Sequence, residues 1–599
     1  MLHSNNNICR YFWRINKSCC SFFKRITYLF IALFIFQITS LAQDLENIGK
    51  QKPFQIHGGL GFNYTGTYTN DSNRVPMPSF WSASLNLNAS VYGISIPFSA
   101  VLTNGKFSAS NSFSRFGLSP RYKWITAHLG YRQYDYSPFT VTGQSFLGGG
   151  IELRPWYLRM GLFGGKLRNA FEVDSSKIFE QNIPGSYPLN ITTEQGVNYY
   201  SQKPSYMRKG WGAKLGFGKE SNFVYFIFFK GYDVSSSLKQ ENSTLHLSPE
   251  ENVVLGLNIF QRFAKHFSIS VNGAASIYTM DATADLITDD FPMKNIITGI
   301  IPITIATEFQ WATEANFNVN YPNFSINTAY KRIQPNFKSM GISSYLTDLN
   351  LISIQPSWSL WKQKIRFMNV FQYQSDNLNG YKQLTSKRTM LNSSVSMNLS
   401  NNFGIDFNFN RNSLTQEKSK ASVPDSIQAS QKSNSITVTP HYIFTTDKIS
   451  NVTSIVTSYT SMKNRMANNQ NNNIQNLYAT INNALVVLSS GWNFNGGVNF
   501  NSAETSLNSL QSYGFIAGVT KSVFKNSLTL TNSNTLLWNV LDGNQNGNTF
   551  SVDLSGAYNF LKNQSINLSI NYLYSPANGV YNISDFNQTR IMLGYNYNF

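Results

Sequence analysis

After residue 42 the chain has no cysteine; Cys9, Cys19 and Cys20 all precede it. The remaining chain is therefore held without disulfides and does no thiol chemistry. Charge is also scarce, at 13% of residues against 15% aromatic. A water-facing surface ordinarily carries about 25–35% charged residues. Long apolar runs are missing too. Asn, Ser, Gly or a charge interrupts every apolar stretch after Ala42, which excludes membrane-spanning helices there.

Other absences bear on chemistry. His57, His128, His246, His266 and His441 have no metal-ligand spacing. Asp281, Asp285, Asp289 and Asp290 lack the spacing and glycine of a calcium loop. Gly148-Gly149-Gly150 is not followed by a lysine and a helix, so it is no phosphate cradle. These glycines instead suggest close approach by another chain segment. Serine is abundant, but no Ser–His–Asp arrangement is assignable. We therefore expect no enzyme, no metal and no cofactor. The net charge is +18, and +13 after Ala42 (43 basic, 30 acidic). Without a compact basic domain or a recognisable module, nucleic acid is not an expected partner.

What is present begins with a basic run, Arg10, Arg14, Lys17, Lys24 and Arg25. An apolar stretch from Tyr28 to Phe36 follows, then Ser40-Leu41-Ala42 with small residues at the cleavage positions. This is the pattern of a secretory signal, 1–42, cut after Ala42. The cysteines stand before its apolar part rather than after it, unlike a lipid-modified cysteine. From Phe54 onward the dominant signal is period 2. Ile591, Leu593, Tyr595, Tyr597 and Phe599 share one parity; Arg590, Met592, Gly594, Asn596 and Asn598 share the other. Such alternation gives a strand with one apolar and one polar or small face. Phe550, Val552, Leu554, Tyr558 and Phe560 alternate in the same way with Ser551, Asp553, Ser555, Ala557 and Asn559. At Tyr92-Gly93 the phase changes, marking a tight turn or a bulge.

Joins between these strands alternate short and long. Pro322-Asn323, Asn401-Asn402 and Lys562-Asn563 are short, whereas 334–345, 376–387, 414–432, 463–473, 539–547 and 576–586 are long and polar. Transmembrane barrels alternate in this way, with short periplasmic turns and long outer loops. Closure also leaves no strand edge exposed in lipid. The expected fold is therefore all-β: one large antiparallel transmembrane β-barrel over 54–599, about 26 strands (20–26). Segment 43–53 becomes a short periplasmic N-terminal piece, and both chain ends are periplasmic. Segment 168–206, with Pro184, Pro188 and Pro204, is a long extracellular or lumen-folded loop.

The signal, the alternating joins and the terminal Tyr595-Asn596-Tyr597-Asn598-Phe599 together resemble the outer-membrane β-barrel proteins of Gram-negative bacteria. Tyr92–Phe98, Phe116–Trp124 and Phe146–Leu153 are similar to a poorly characterised group of such barrels from Bacteroidota. The heavy use of Asn and Tyr fits that phylum. The resemblance implies contact with outer-membrane lipids and insertion by the barrel-assembly machinery, with Tyr595, Tyr597 and Phe599 as the assembly signal. It implies a channel or transport component. The alternative is a structural or accessory barrel subunit of an assembly, secretion or surface-export complex, with lipoproteins or another barrel as partners. No plug domain precedes the barrel, and no periplasmic module of the peptidoglycan-binding or repeated assembly type is present.

Two further sets of residues stand out. Lys362, Lys364 and Arg366 alternate along one expected strand and would project together into the lumen, drawing in anions. Glu152 and Arg159 flank the Arg154-Pro155-Trp156 connection and would form an internal brace across a hairpin.

Overall fold

A computed structural model describes residues 53–70, 79–92, 94–104, 115–171, 192–194, 197–199, 205–238, 247–287, 299–419, 428–465, 471–577 and 585–599. The signal 1–42, nearly all of 43–53, Gly93 and most of 168–206 lie outside the described residues. The first fourteen barrel strands are β1 (Phe54–Thr69), β2 (Ser79–Val91), β3 (Ile94–Thr103), β4 (in two pieces, Arg115–Leu118 and Arg121–Tyr122), β5 (Ile125–Gln133), β6 (Ser145–Leu153), β7 (Leu158–Arg168), β8 (Met207–Lys219), β9 (Asn222–Val234), β10 (Glu251–Phe263), β11 (Phe267–Thr279), β12 (Thr307–Tyr321), β13 (Phe324–Ile333) and β14 (Leu349–Leu360). The other twelve are β15 (Ile365–Ser375), β16 (Leu384–Asn398), β17 (Phe403–Lys418), β18 (Ser430–Thr445), β19 (Ile449–Arg465), β20 (Asn471–Val487), β21 (Trp492–Thr505), β22 (Ser509–Val523), β23 (Leu528–Leu541), β24 (Asn544–Leu561), β25 (Gln564–Ser575) and β26 (Phe586–Asn598).

Every strand pairs antiparallel with its neighbours in sequence, and β26 pairs with β1 from Gly59↔Asn598 to Thr69↔Gln588. The result is a closed barrel of 26 strands. Closure satisfies the edges of β1 and β26 by the same ladder that joins the other strands. The last residue takes part: Phe599 N donates to Gly58 O at 2.9 Å, and Gly58 N donates to Phe599 O at 2.8 Å. Among the described residues no helix is long and apolar enough to cross a membrane.

Side-chain alternation gives the wall two faces. Phe217, Phe226, Leu255, Ile481 and Phe515 are exposed on the outside. Asn, Ser, Thr and Gly dominate much of the inside. Val91 pairs directly with Ile94, so the change of phase separates two strands, β2 and β3, rather than marking a bulge within one. β12 begins only at Thr307, leaving residues 300–306 outside the strand. Ile301 and Ile303 instead fold back over the outer face, buried against Val253 and Ile277. The long join expected at 539–547 is also corrected. β23 and β24 continue to Leu541↔Asn544, closed by Asp542 (φ 50°) and Gly543 (φ 80°). Both central residues have positive φ, as an Asp-Gly hairpin turn of type I′ requires.

Candidate functional site: a lumen filled on one side

Two connections at the long-loop end turn inward, 134–144 between β5 and β6 and 334–348 between β13 and β14. They dock on each other through Thr142 N to Gly341 O at 3.0 Å and Ser339 Oγ to Thr140 O at 2.6 Å. Phe139 and Phe337 meet edge to face at 6.3 Å between ring centroids. Together they pack on Phe146, Phe163, Phe229, Val254, Ala312 and Ile333 from the inner wall between β6 and β13. Burial of these side chains supplies the principal cohesion.

The wall is cut back to receive them. A Cβ at Gly256 would lie 2.3 Å from Thr140 Cγ2, and one at Gly150 would lie 2.3 Å from the Tyr134 hydroxyl. The glycine run at 148–150 thus admits a close neighbour, as its composition suggests, and the described segment that approaches is 134–144. Gly148 serves a different contact, since its Cβ would meet the backbone of Gly164 and Gly165. Asn252, with 0% exposure, anchors the second loop. Its Nδ2 donates to Lys338 O at 3.2 Å, and its Oδ1 accepts from Met340 N at 3.0 Å. Tyr345 closes the loop by accepting from Ser339 N at 2.6 Å and donating to Phe337 O at 2.8 Å; burial pushes its hydroxyl up to about 12.

Charges tie the inserted loop to the wall. Arg208 forks onto Asp233 at 2.7 and 2.9 Å and reaches Glu250 Oε2 at 2.6 Å. Glu250 in turn accepts from Lys338 Nζ at 3.1 Å. Burial alone would raise the Glu250 carboxyl, but Arg208 and Lys338 outweigh it and hold it below the usual carboxylate range. Asp348, at the end of the loop, is likewise depressed: burial opposes, while Lys382 and the backbone N–H of Leu378 prevail. This bidentate, shared network is the geometry in which partly buried ions are well satisfied.

The wall from β15 to β26 differs. One inward row across β16, β17, β18 and β19 reads Asn392, Asn410, Ser435 and Thr460. Thr437 donates to Ser458 at 2.9 Å and Thr460 to Ser435 at 3.0 Å, so hydroxyls pair along the wall. Asn408 and Asn410 are exposed to the interior. An open recess lined by Gln374, Arg388, Asn412, Gln431 and Ser433 lies on the same face. No described segment covers this wall as 134–144 and 334–348 cover the other.

The residues singled out by sequence fall in three places. Glu152 faces inward on β6, but its partners are Arg154 at 2.8 Å and Lys214 at 3.8 Å. Its cross-strand neighbour is Gly161, whose missing side chain lets Lys214 reach across from β8. Arg159 instead donates to the carbonyls of Arg154, Trp156 and Leu158 in the turn. The expected Glu152–Arg159 brace is thus replaced by Glu152 with Arg154 and Lys214. Lys362 and Lys364 are not on a strand: Trp361, Lys362 and Gln363 all have positive φ, and Lys364 N bonds Trp361 O at 3.2 Å, making a turn. Only Arg366 belongs to β15, on the inward parity beside Ser396 and Asp406. Three consecutive left-handed residues close the turn and prevent the ladder from forming. Tyr595 and Tyr597 lie on β26 opposite Phe62 and Leu60 of β1, and Tyr595 OH meets Gln564 Oε1 at 3.1 Å. The tyrosines and phenylalanines of 134–146 were not singled out beforehand. Tyr134, Tyr136 and Phe146 share one parity across a connection, a signal that the run continues inward beyond the strand.

Fold and lumen together define a large closed β-barrel with its interior occupied along one wall. No protein-family model and no curated protein matches the chain. Among solved structures it is similar to the PapC translocation pore of the P pilus usher, at 11% identity over 90% of this chain and 99% of that one, with a TM-score of 0.34. It is also similar to the copper transporter OprC (8% identity, 90% and 80% covered, TM-score 0.36). A third is BauA, the ferric preacinetobactin receptor of Acinetobacter baumannii (9% identity, 91% and 80% covered, TM-score 0.36).

Proposed function

We propose that the chain is an integral outer-membrane barrel that acts as a channel or transport component for polar solutes. The observation that carries this reading is the uncovered inner wall of β15–β26, lined by Asn, Ser and Thr beside a wall sealed by two inserted loops. Hydroxyl and amide groups replace part of a solute's hydration without fixing one charge. The exposed apolar exterior suits lipid, and closure leaves no backbone edge to desolvate. In this reading the signal 1–42 is removed, the short turns and both ends of the sheet face the periplasm, and the long connections face outward. Lys362, Lys364 and Arg366 then ring one side of the periplasmic mouth and bias it toward anions. Tyr595, Tyr597 and Phe599 present the closing strand to the assembly machinery.

The test is single-channel recording of the purified barrel in a planar bilayer. Stable conductance from the isolated chain is expected, with a loss of anion preference after Lys362, Lys364 and Arg366 are all changed to Gln. A folded barrel that never conducts would sink the reading. Stoichiometric co-purification with a lipoprotein or a second barrel would then favour the accessory-subunit role. Deleting Arg590–Phe599 removes the partner of β1 and should leave unassembled chain.

A further inference from the structure

At the long-loop end some outward cations are satisfied in place. Lys230 meets Glu251 at 3.2 Å, Lys387 meets Glu417 at 2.5 Å, and Arg332 lies 5.7 Å from the Trp311 ring centroid. Two pairs of lysines are not. Lys166 on β7 stands directly opposite Lys209 on β8, and Lys432 on β18 directly opposite Lys463 on β19. None of these four has an ion pair or side-chain hydrogen bond among the described residues. Arg411, exposed on the same outer parity one strand from Lys432, extends the second pair.

Directly opposed residues have Cβ atoms about 4.5–5.5 Å apart, and like charges so placed destabilise a sheet. A sheet that keeps two such pairs on one rim calls for an anion between each. Their height narrows the choice. Lys209 lies eight residues along β8 from the exposed Phe217. That is about 26 Å of strand, or about 20 Å along the axis at a tilt of about 40°. Lys432 lies twelve residues from Phe444, about 40 Å of strand and about 30 Å along the axis. The apolar band of such a barrel is about 25 Å tall. Both pairs therefore sit close to its upper edge, where headgroups begin. Trp211 is two residues below Lys209, and Tyr459 four residues below Lys463, each a ring suited to that boundary.

We propose that the outward pairs Lys166–Lys209 and Lys432–Lys463, the latter with Arg411, bind the phosphate groups of an anionic lipid in the leaflet facing the long connections. The inference rests on the membrane reading above. A phosphate offers several acceptor oxygens, so it can bridge two opposed ammoniums and take the Arg411 fork as well. The acyl chains then lie on the outward Trp211, Ile436 and Tyr459.

The test uses the full chain in nanodiscs of phosphatidylcholine doped with a bisphosphorylated glycolipid or its dephosphorylated counterpart, with retained lipid counted by native mass spectrometry. Preferential retention of the phosphorylated form is expected, undiminished by excess inorganic phosphate. Changing Lys166, Lys209, Arg411, Lys432 and Lys463 to Gln should cut retention by about tenfold or more. Lys219→Gln with Lys521→Gln, at the opposite end, should leave it unchanged. A second readout guards against a folding artefact. Without glycolipid the five-fold variant should melt at or above the parent temperature, because repulsion is relieved; with glycolipid it should melt below. Equal retention of both lipids, displacement by inorganic phosphate, no loss in the five-fold variant, or equal loss in the opposite-end variant overturns the proposal. Failure to enter nanodiscs at all overturns the membrane reading and this inference with it.

Discussion

The inner row Gly150, Phe163, Gly212, Phe229, Val254 belongs to the same barrel as the row Asn392, Asn410, Ser435, Thr460. Both are inward faces of adjacent antiparallel strands. The first alternates absent and bulky side chains and works as half of a hydrophobic core. The second is uniformly polar and of similar size, and works as a wetted wall. The backbone is the same in each; what differs is whether another segment covers it. A covered wall needs apolar surface and room for its partner, whereas a wetted wall needs hydrogen-bonding groups and no special shape.

That contrast can be broken most sharply at Gly256. Gly256→Val places carbon where Thr140 Cγ2 already sits, 2.3 Å from the new Cβ. Overpacking of this kind costs about 1–3 kcal/mol. The expected outcome is expulsion of 134–144, read as a step up in single-channel conductance and new protease cleavage between 134 and 144. Asn252→Leu comes next. It strands Met340 N, an unpaired group costing about 1–3 kcal/mol, while Lys338 O keeps the bond from Ser276 Oγ. Faster hydrogen exchange at the Met340 amide would register the loosened loop.

Acid tests the electrostatic part of the covered side. The Glu250 carboxyl is depressed in the folded state, so its contribution is complete above the unfolded value of about 4.3 and is lost as pH falls through the lower folded value. Met340 amide protection should therefore be flat at neutral pH and fall only below about 4. Glu250→Gln should reduce that fall, leaving the part that Asp348 contributes. The smallest effect is expected on the open wall. Asn410→Leu removes an exposed lumen amide with no described partner, so stability should move within about 0.5 kcal/mol. Flux of a neutral sugar should drop modestly, by less than the change that Gly256→Val produces in conductance.

Much of this architecture was legible in residue order. Period-2 alternation located the strands because each must present one face to each side of a single-layer wall. The break between β2 and β3 was visible as a change of phase, and telling two strands from one bulged strand required the pairing of Val91 with Ile94. Asp542-Gly543 carried a hairpin signal inside a stretch read as a long polar join; composition outweighed turn chemistry there, and the ladder shows the reverse. The basic ladder failed for a local reason: alternation of Lys362, Lys364 and Arg366 mimics a strand, but three consecutive left-handed residues at 361–363 make a turn. The Glu152 brace failed for a non-local one, since its partner Lys214 comes from β8, 62 residues away.

The sequence by itself determined that this protein is a single large closed sheet, because alternating strands without apolar helices leave closure as the way to satisfy every edge. It also determined the two faces and the short-turn end. Only the tertiary structure decided which half of the lumen is filled. That depends on two loops 200 residues apart, 134–144 and 334–348, meeting through Ser339 and Thr140. It depends equally on glycines whose purpose is invisible until the side chain that needs their space is in place. Coverage of a wall is a property of distant segments brought together, and no local pattern encodes it.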